Sequence, residues 1–187
     1  MRKYIGLLLI LCISFSCSKK EQQKEHYSIL NEKDRSLLKD EILEDRFTNL
    51  LPTLMDDVAI DMWLLISREY NEDPVLKTML PATWLNARRR TILVFYRDKE
   101  KNTMERLAVA RYAIGKSIQS AWDKEKEPNQ WLRLVQIIEE RQPKAIGLNY
   151  SEHFNIADGI VKTDYETFME WFNNQPNYPT KSPLQLP

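Results

Sequence analysis

Glycine, cysteine and histidine are scarce in this chain, at four, two and two among 187 residues. After Gly6 only Gly115, Gly147 and Gly159 are left, and neither GxxxxGK[ST] nor GxGxxG occurs, which argues against a phosphate-cradling loop. Both cysteines, Cys12 and Cys17, precede residue 18, so the remaining chain has no disulfide and no thiolate ligand. The histidines are His26 and His153, without HExxH, a Cys/His pair or a GxSxG elbow, so metal and nucleophilic catalysis lack their usual residue sets. Charge of one sign is also missing: 27 basic residues balance 27 acidic ones, and net charge implies no nucleic-acid partner.

What is present divides the chain into four parts. Arg2 and Lys3 precede the apolar run "YIGLLLILCISF", which is shorter than the roughly 18 to 20 residues that cross a bilayer and has the form of a secretory h-region. It leads through "SFSC" to Cys17, with small residues at Ser14 and Ser16, and resembles a bacterial lipobox whose cysteine is acylated after cleavage. A plain signal peptide cleaved elsewhere, or a short anchor, is the other reading. Residues 1–16 are therefore expected to be a lipoprotein signal, residues 17–33 a polar tether around "SKKEQQKEH", residues 34–175 a single folded domain, and residues 176–187 a proline-spaced tail.

Within the folded part, Leu38, Ile42, Phe47, Leu50, Leu51, Leu54 and Met55 recur near helical spacing, and Pro52 is expected to kink or divide that helix. "IDMWLLIS" and "RTILVFYRD" read as buried strands, and "ERLAVARYAIG" as a third, paired with the second across the turn "DKEKNT". "SIQSAW" can add a fourth. A helix capped by Asn129, with Trp131, Leu132, Val135 and Ile138 inward, leads to the strand "AIGLN", half of a parallel crossover. The Thr163/Glu166 spacing predicts a capping box for a last helix that buries Phe168, Met169 and Phe172. The pattern predicts an α/β domain, a mixed sheet with flanking helices.

The densest polar stretch is "SREYNEDPVLKTMLPATWLNARRR", between the first two strands. Arg68, Asn71, Asp73, Trp84, Arg88, Arg89 and Arg90 form a candidate gate or docking surface at the sheet end, with the arginines able to fork a carboxylate. The plainer reading makes Asn71, Asp73 and Pro74 turn formers, with Asp73 capping "VLKTML" and the arginines a solvated strand edge. Of the tryptophans, Trp63, Trp131 and Trp171 lie in apolar patterns and are expected inside, Trp84 and Trp122 outside. Glu152, His153 and Asp158 in "SEHFNIADG" could hold a divalent ion if a turn joined them; otherwise Asp158 and Gly159 simply make that turn.

Read together, "LLPTLMDDVAIDMWLLISREYNEDPVLKTMLP", "ARRRTILVFYRD", "ERLAVARYAIG" and "IGLNYSEHFNIADGIVKTDYE" resemble the N-terminal domain of the creatinase, aminopeptidase P and prolidase family, over roughly Asp34 to Phe172. The resemblance implies a ribonuclease-H-like α/β domain without catalytic residues, followed in full-length members by a domain whose two divalent metal ions activate water against an Xaa-Pro bond. None of those metal ligands can be assigned here, so the expectation is a chain without catalytic residues, cofactor or metal of its own. It would shape substrate access or subunit contacts for a missing or separate catalytic domain, or pair with itself as a homodimer. The alternative is a free-standing binding module on the cell envelope, held to a membrane by lipid.

Overall fold

The computed structural model describes residues 29–174; the signal run, Cys17, most of the tether and the proline-spaced tail lie outside the described residues. Every described element belongs to the unit Asn31–Pro187. Helix α1 (Glu32–Asp45) starts where the Asn31 side chain accepts the Asp34 amide at 3.0 Å, with Glu32 and Asp34 placing negative charge in the first turn. It passes through a π-helical segment (Arg46–Leu50) into α2 (Leu51–Asp57), whose first turn holds Pro52. The helix is therefore not divided at Pro52: its backbone stays right-handed helical through Arg46, Leu50 and Leu51, and only the hydrogen-bond spacing widens before the proline. A proline there costs no hydrogen bond within α2, while the wider turn before it takes up the carbonyl that its ring would crowd.

That π-helical segment corrects the expected inner face. The buried residues are Leu43, Phe47, Leu51 and Met55, whereas Leu38, Ile42, Leu50 and Leu54 are exposed. A strict four-residue repeat drifts around an ordinary helix of 3.6 residues per turn; one wider turn restores the phase, so 43, 47, 51 and 55 all face the sheet.

The sheet has the order β4-β3-β2-β1-β5. Strands β1 (Met62–Arg68), β2 (Arg90–Asp98) and β3 (Thr103–Val109) form an antiparallel meander, with Leu65 opposite Leu93 and Val94 opposite Leu107. The two-residue β4 (Gln119–Ser120) runs parallel to β3, and β5 (Ile146–Leu148) parallel to β1 after helix α3 (Gln130–Arg141). The third strand ends at Val109; "ARYAIG" beyond it is irregular, with only an Ile114–Ile118 bridge. Helix α4 (Lys162–Asn173) closes the fold. It begins at Lys162, so Thr163 lies inside its first turn and the expected capping box does not form; Val161 occupies the cap and makes no side-chain bond.

Alternation along the strands explains why both "LLI" and "ILVF" are continuous apolar runs. Leu65, Leu93, Phe95 and Ala108 face the α1–α2 arm, while Met62, Leu64, Ile66, Ile92, Val94 and Val109 face α3 and α4. Both faces are covered, so neither set of side chains can be polar. Helix α3 buries Trp131, Leu134, Val135, Ile137 and Ile138, while Leu132, expected inward, is only half-buried.

Candidate functional site: an arginine cleft at the sheet end

At one end of the sheet, where β1 ends, β2 begins and α3 starts, the surface opens into a cleft of about 720 Å³. Its walls carry Arg68, Arg89, Arg90 and Arg111, the carboxylate of Glu69, and the rings of Tyr70, Trp122 and Trp131. Four arginines from three separate segments of the chain line it.

Local backbone bonds fix the turn that carries two of them. Arg68, Glu69, Tyr70 and Asn71 form a tight turn closed by the Asn71 amide on the Arg68 carbonyl at 3.1 Å. Tyr70 takes the left-handed position in it, φ 69°, and its ring stays 90% exposed. Arg89 is left-handed too, φ 58°, and its amide donates to the Glu69 carboxylate at 2.9 Å while its carbonyl accepts from the Glu69 amide at 2.7 Å. Such positions favour glycine, and a bulky residue held there marks a backbone fixed by its surroundings.

Behind the cleft lies Asp164 of α4, whose side chain is 1% exposed. Its Oδ1 accepts from Arg68 Nη2 at 2.5 Å and from Arg90 Nε at 3.1 Å. Its Oδ2 has no hydrogen-bond partner among the described residues. Arg90 also lies over the Trp131 ring, 4.5 Å from the centroid, and Gln130 donates to the carbonyls of Arg90 at 3.1 Å and Val109 at 2.6 Å. No ion pair holds Arg89 or Arg111 among the described residues. One carboxylate shared by two arginines, plus Glu69, against four guanidiniums leaves an excess of positive charge. The start of α3 adds the partial positive charge of a helix N-terminus, where Asn129 Oδ1 already takes the amides of Trp131 and Leu132. The arrangement suits a carboxylate or another oxyanion, which guanidiniums grip through paired N–H donors.

The residues expected to act together separate into three groups. Arg68, Arg89 and Arg90 line the cleft, and Asn71 closes the turn beside it. Trp84 does not belong to it: it is 7% exposed and packed in the core beneath α1–α2, which corrects the expectation of an exposed anchor. Arg88 covers it instead, its guanidinium 4.7 Å from the Trp84 ring and 5.6 Å from that of Tyr112. Of the other expected-outside ring, Trp122 is half-buried and donates Nε1 to the Glu127 carbonyl at 2.7 Å.

Asp73 is fully buried and serves the scaffold. Its Oδ1 accepts the Val75 amide at 2.7 Å, as the turn-capping reading expects, and its Oδ2 accepts from Asn149 Nδ2 at 2.8 Å. Asn149 Oδ1 in turn accepts from Trp63 Nε1 at 2.8 Å, and the Asp73 amide donates to Ser67 Oγ at 3.0 Å. Burial pushes the Asp73 carboxyl above its ordinary range, against the lowering effect of these donors. Gly159 passes so close that a Cβ would overlap the Asp73 carboxyl. Glu152, His153 and Asp158 are exposed; the His153 amide donates to Ser151 Oγ at 3.3 Å, and no metal-holding group of His, Asp or Glu forms among the described residues.

Asp164 and Arg111 were not legible as site residues. Asp164 lies four residues before Phe168 on the buried stripe of its helix, and an acid in an apolar stripe is the signal that a charged partner must meet it. Comparison of the chain with protein-family models, curated proteins and solved structures finds no match in any of the three.

Proposed function

We propose that this chain is a non-catalytic recognition domain of the kind found at the N-terminus of creatinase, aminopeptidase P and prolidase proteins, and that its arginine cleft receives a carboxylate of a peptide substrate or of an acidic partner. It shapes access to a catalytic domain carried elsewhere. The observation that carries this reading is that Arg68, Arg89, Arg90 and Arg111 line one open cleft with too few carboxylates to neutralise them. A mixed sheet in which an antiparallel meander is followed by a helix and a strand parallel to β1 supports the ribonuclease-H-like form of the domain.

The test uses tryptophan emission, because Trp122 and Trp131 stand in the cleft wall. A short peptide with a free C-terminal carboxylate should quench it at low salt and lose affinity as salt is raised; its C-terminal amide should bind far less. Arg89→Ala and Arg111→Ala should each weaken binding by about 1.5–3 kcal/mol, the usual worth of a charge-assisted hydrogen bond. Equal binding of acid and amide would sink the reading, as would turnover of an Xaa-Pro peptide by this chain alone that His153→Ala abolishes.

A second reading, a lipid-anchored module that acts by itself on the cell envelope, is favoured by "SFSC" at Cys17 after a short apolar run. Metabolic labelling with palmitate should mark the intact chain and not Cys17→Ala. Equal labelling of the two ends the lipid reading and leaves the cleft reading as it stands.

A further inference from the structure

A second concavity, a groove of about 430 Å³, runs along α1 and shares no residue with the arginine cleft. Its other wall is the single helical turn Leu76–Thr78 with Leu80. Buried Leu43 and Leu80 lie at the bottom, and exposed Leu38 and Ile42 stand on the α1 side. Cations rim both ends. Arg35 and Lys39, one turn apart, stand toward the start of α1; Arg46, which donates to the Thr78 carbonyl, stands with Lys77 toward the other end. Helix α1 carries six acidic residues against three basic ones, yet no carboxylate among the described residues lines the groove. Positions 35, 38, 39, 42 and 46 recur at threes and fours, which keeps them on one face and leaves the acids off it. Lys39 and Lys77 are exposed and make no ion pair among the described residues, and Arg35 pairs with exposed Glu32, a weak bond. An apolar recess with a rim of free cations marks a contact site.

The placement of the charges selects the occupant. Arg35 and Arg46 are about 16 Å apart along the helix, so positive charge stands at both ends of the apolar floor. A single-chain lipid has one charged head and satisfies one end only, and a flat bilayer does not reach a recessed floor. A peptide segment with acids on both sides of an apolar stripe satisfies both ends. The amides and carbonyls of α1 are bonded within the helix, so this wall offers no free edge to an extended strand; a helix, which brings its own backbone bonds, fits. The ends of this chain that lie outside the described residues do not supply such a segment. Their acids are Glu21 and Glu25, in a polar stretch, and residues 175–187 have none.

We infer that the groove docks an acidic amphipathic helix of a different protein, with the apolar stripe of that helix seated on Leu38, Ile42 and Leu80 and its Asp and Glu residues paired with the cations at both ends. A groove of this size takes a few turns of helix, so the contact is a small one that forms and releases readily.

The test is a displayed library of helices about 12 residues long, with leucines fixed on one stripe and the flanking positions random, selected on the full chain. Peptides held by the native chain and released by the double variant Lys39→Glu with Lys77→Glu are sequenced. Reversing these two exposed lysines breaks no ion pair of the fold, and circular dichroism checks that each variant is folded. Asp and Glu should dominate the flanks of the selected peptides. Fluorescence anisotropy should show the best of them bound roughly tenfold more weakly by the double variant, and also by Ile42→Ser. Exchanging its acids for lysine should reverse the preference, so that the double variant binds this peptide better than the native chain does. Sedimentation with phosphatidylglycerol vesicles probes the other anionic occupant. A selection that yields no peptide able to tell the two chains apart overturns the proposal, as do discriminating peptides without acidic flanks. Vesicle binding that the double variant loses while peptide binding stays the same also overturns it, and gives the groove to an anionic membrane.

Discussion

Tyr70 and Arg89 hold left-handed backbone in adjoining segments at the cleft, and neither is glycine. An L-residue there costs about 1–2 kcal/mol, which the reciprocal bonds between Glu69 and Arg89 and the turn at Asn71 offset. Asp73 shows the same trade in electrostatic form. Its carboxyl is buried, and desolvation outweighs the amides of Val75, Asn149 and Leu76 in setting its proton affinity. With its folded pKa above the unfolded one, the folded state binds more protons than the unfolded state just above the ordinary carboxylate range. The stability that Asp73 contributes therefore falls as pH rises through the window between the two values, and is level beyond it. Asp73→Asn does not titrate, although its amide would oppose that of Asn149, itself fixed by Trp63. The stability of the native chain minus that of Asp73→Asn, measured in urea across mildly acidic to neutral pH, should decline with rising pH. A difference that grows with pH would refute the buried-carboxyl account. Asp56 and Glu140, held low by hydrogen bonds to Arg97 and Arg133, pull total stability the opposite way, and the subtraction removes them.

At the scale of elements, legibility followed how many faces an element buries. The strands β1 and β2 were plain in sequence because a sheet covered on both faces needs an unbroken apolar run, and "RTILVFYRD" matches β2 residue for residue. Asn129 announced α3 because a cap is a local device, read from the residue itself. The inner face of α1–α2 was misread for the opposite reason: both of its stripes are apolar, so composition could not choose between them, and the choice turns on one π-helical segment that leaves no mark in a periodicity count. Trp84 was placed outside because arginines and turn formers surround it in sequence; the chain there folds back beneath α1, where Ala82 donates to Asp40 at 2.7 Å, and carries the ring into the core. The cleft was half legible. Arg68, Arg89 and Arg90 share one stretch, but Arg111 and Asp164 arrive by tertiary structure alone.

For the whole molecule, the cleft is also where its layers are pinned together. Arg68 on β1 and Arg90 on β2 reach the same oxygen of Asp164 on α4, so one buried carboxylate ties a helix to two central strands. If the cleft receives a ligand as proposed, structure and recognition compete for the same guanidiniums, since each N–H given to Asp164 is withheld from that ligand. Asp164→Asn should separate the two. It removes a charge whose partners are 42% and 27% exposed, less than a fully buried pair, so a loss of about 1–3 kcal/mol in unfolding free energy is expected. The same substitution removes the negative charge while leaving an amide oxygen that both arginines can still meet, so their hold weakens, the positive potential of the cleft deepens, and a peptide with a free carboxylate should bind more tightly to it than to the native chain. Stability falling while affinity rises is the signature of a cleft that Asp164 partly neutralises. If affinity instead falls together with stability, the carboxylate holds the arginines in place for the ligand; if affinity does not change, Arg68 and Arg90 belong to the scaffold and recognition rests on Arg89 and Arg111.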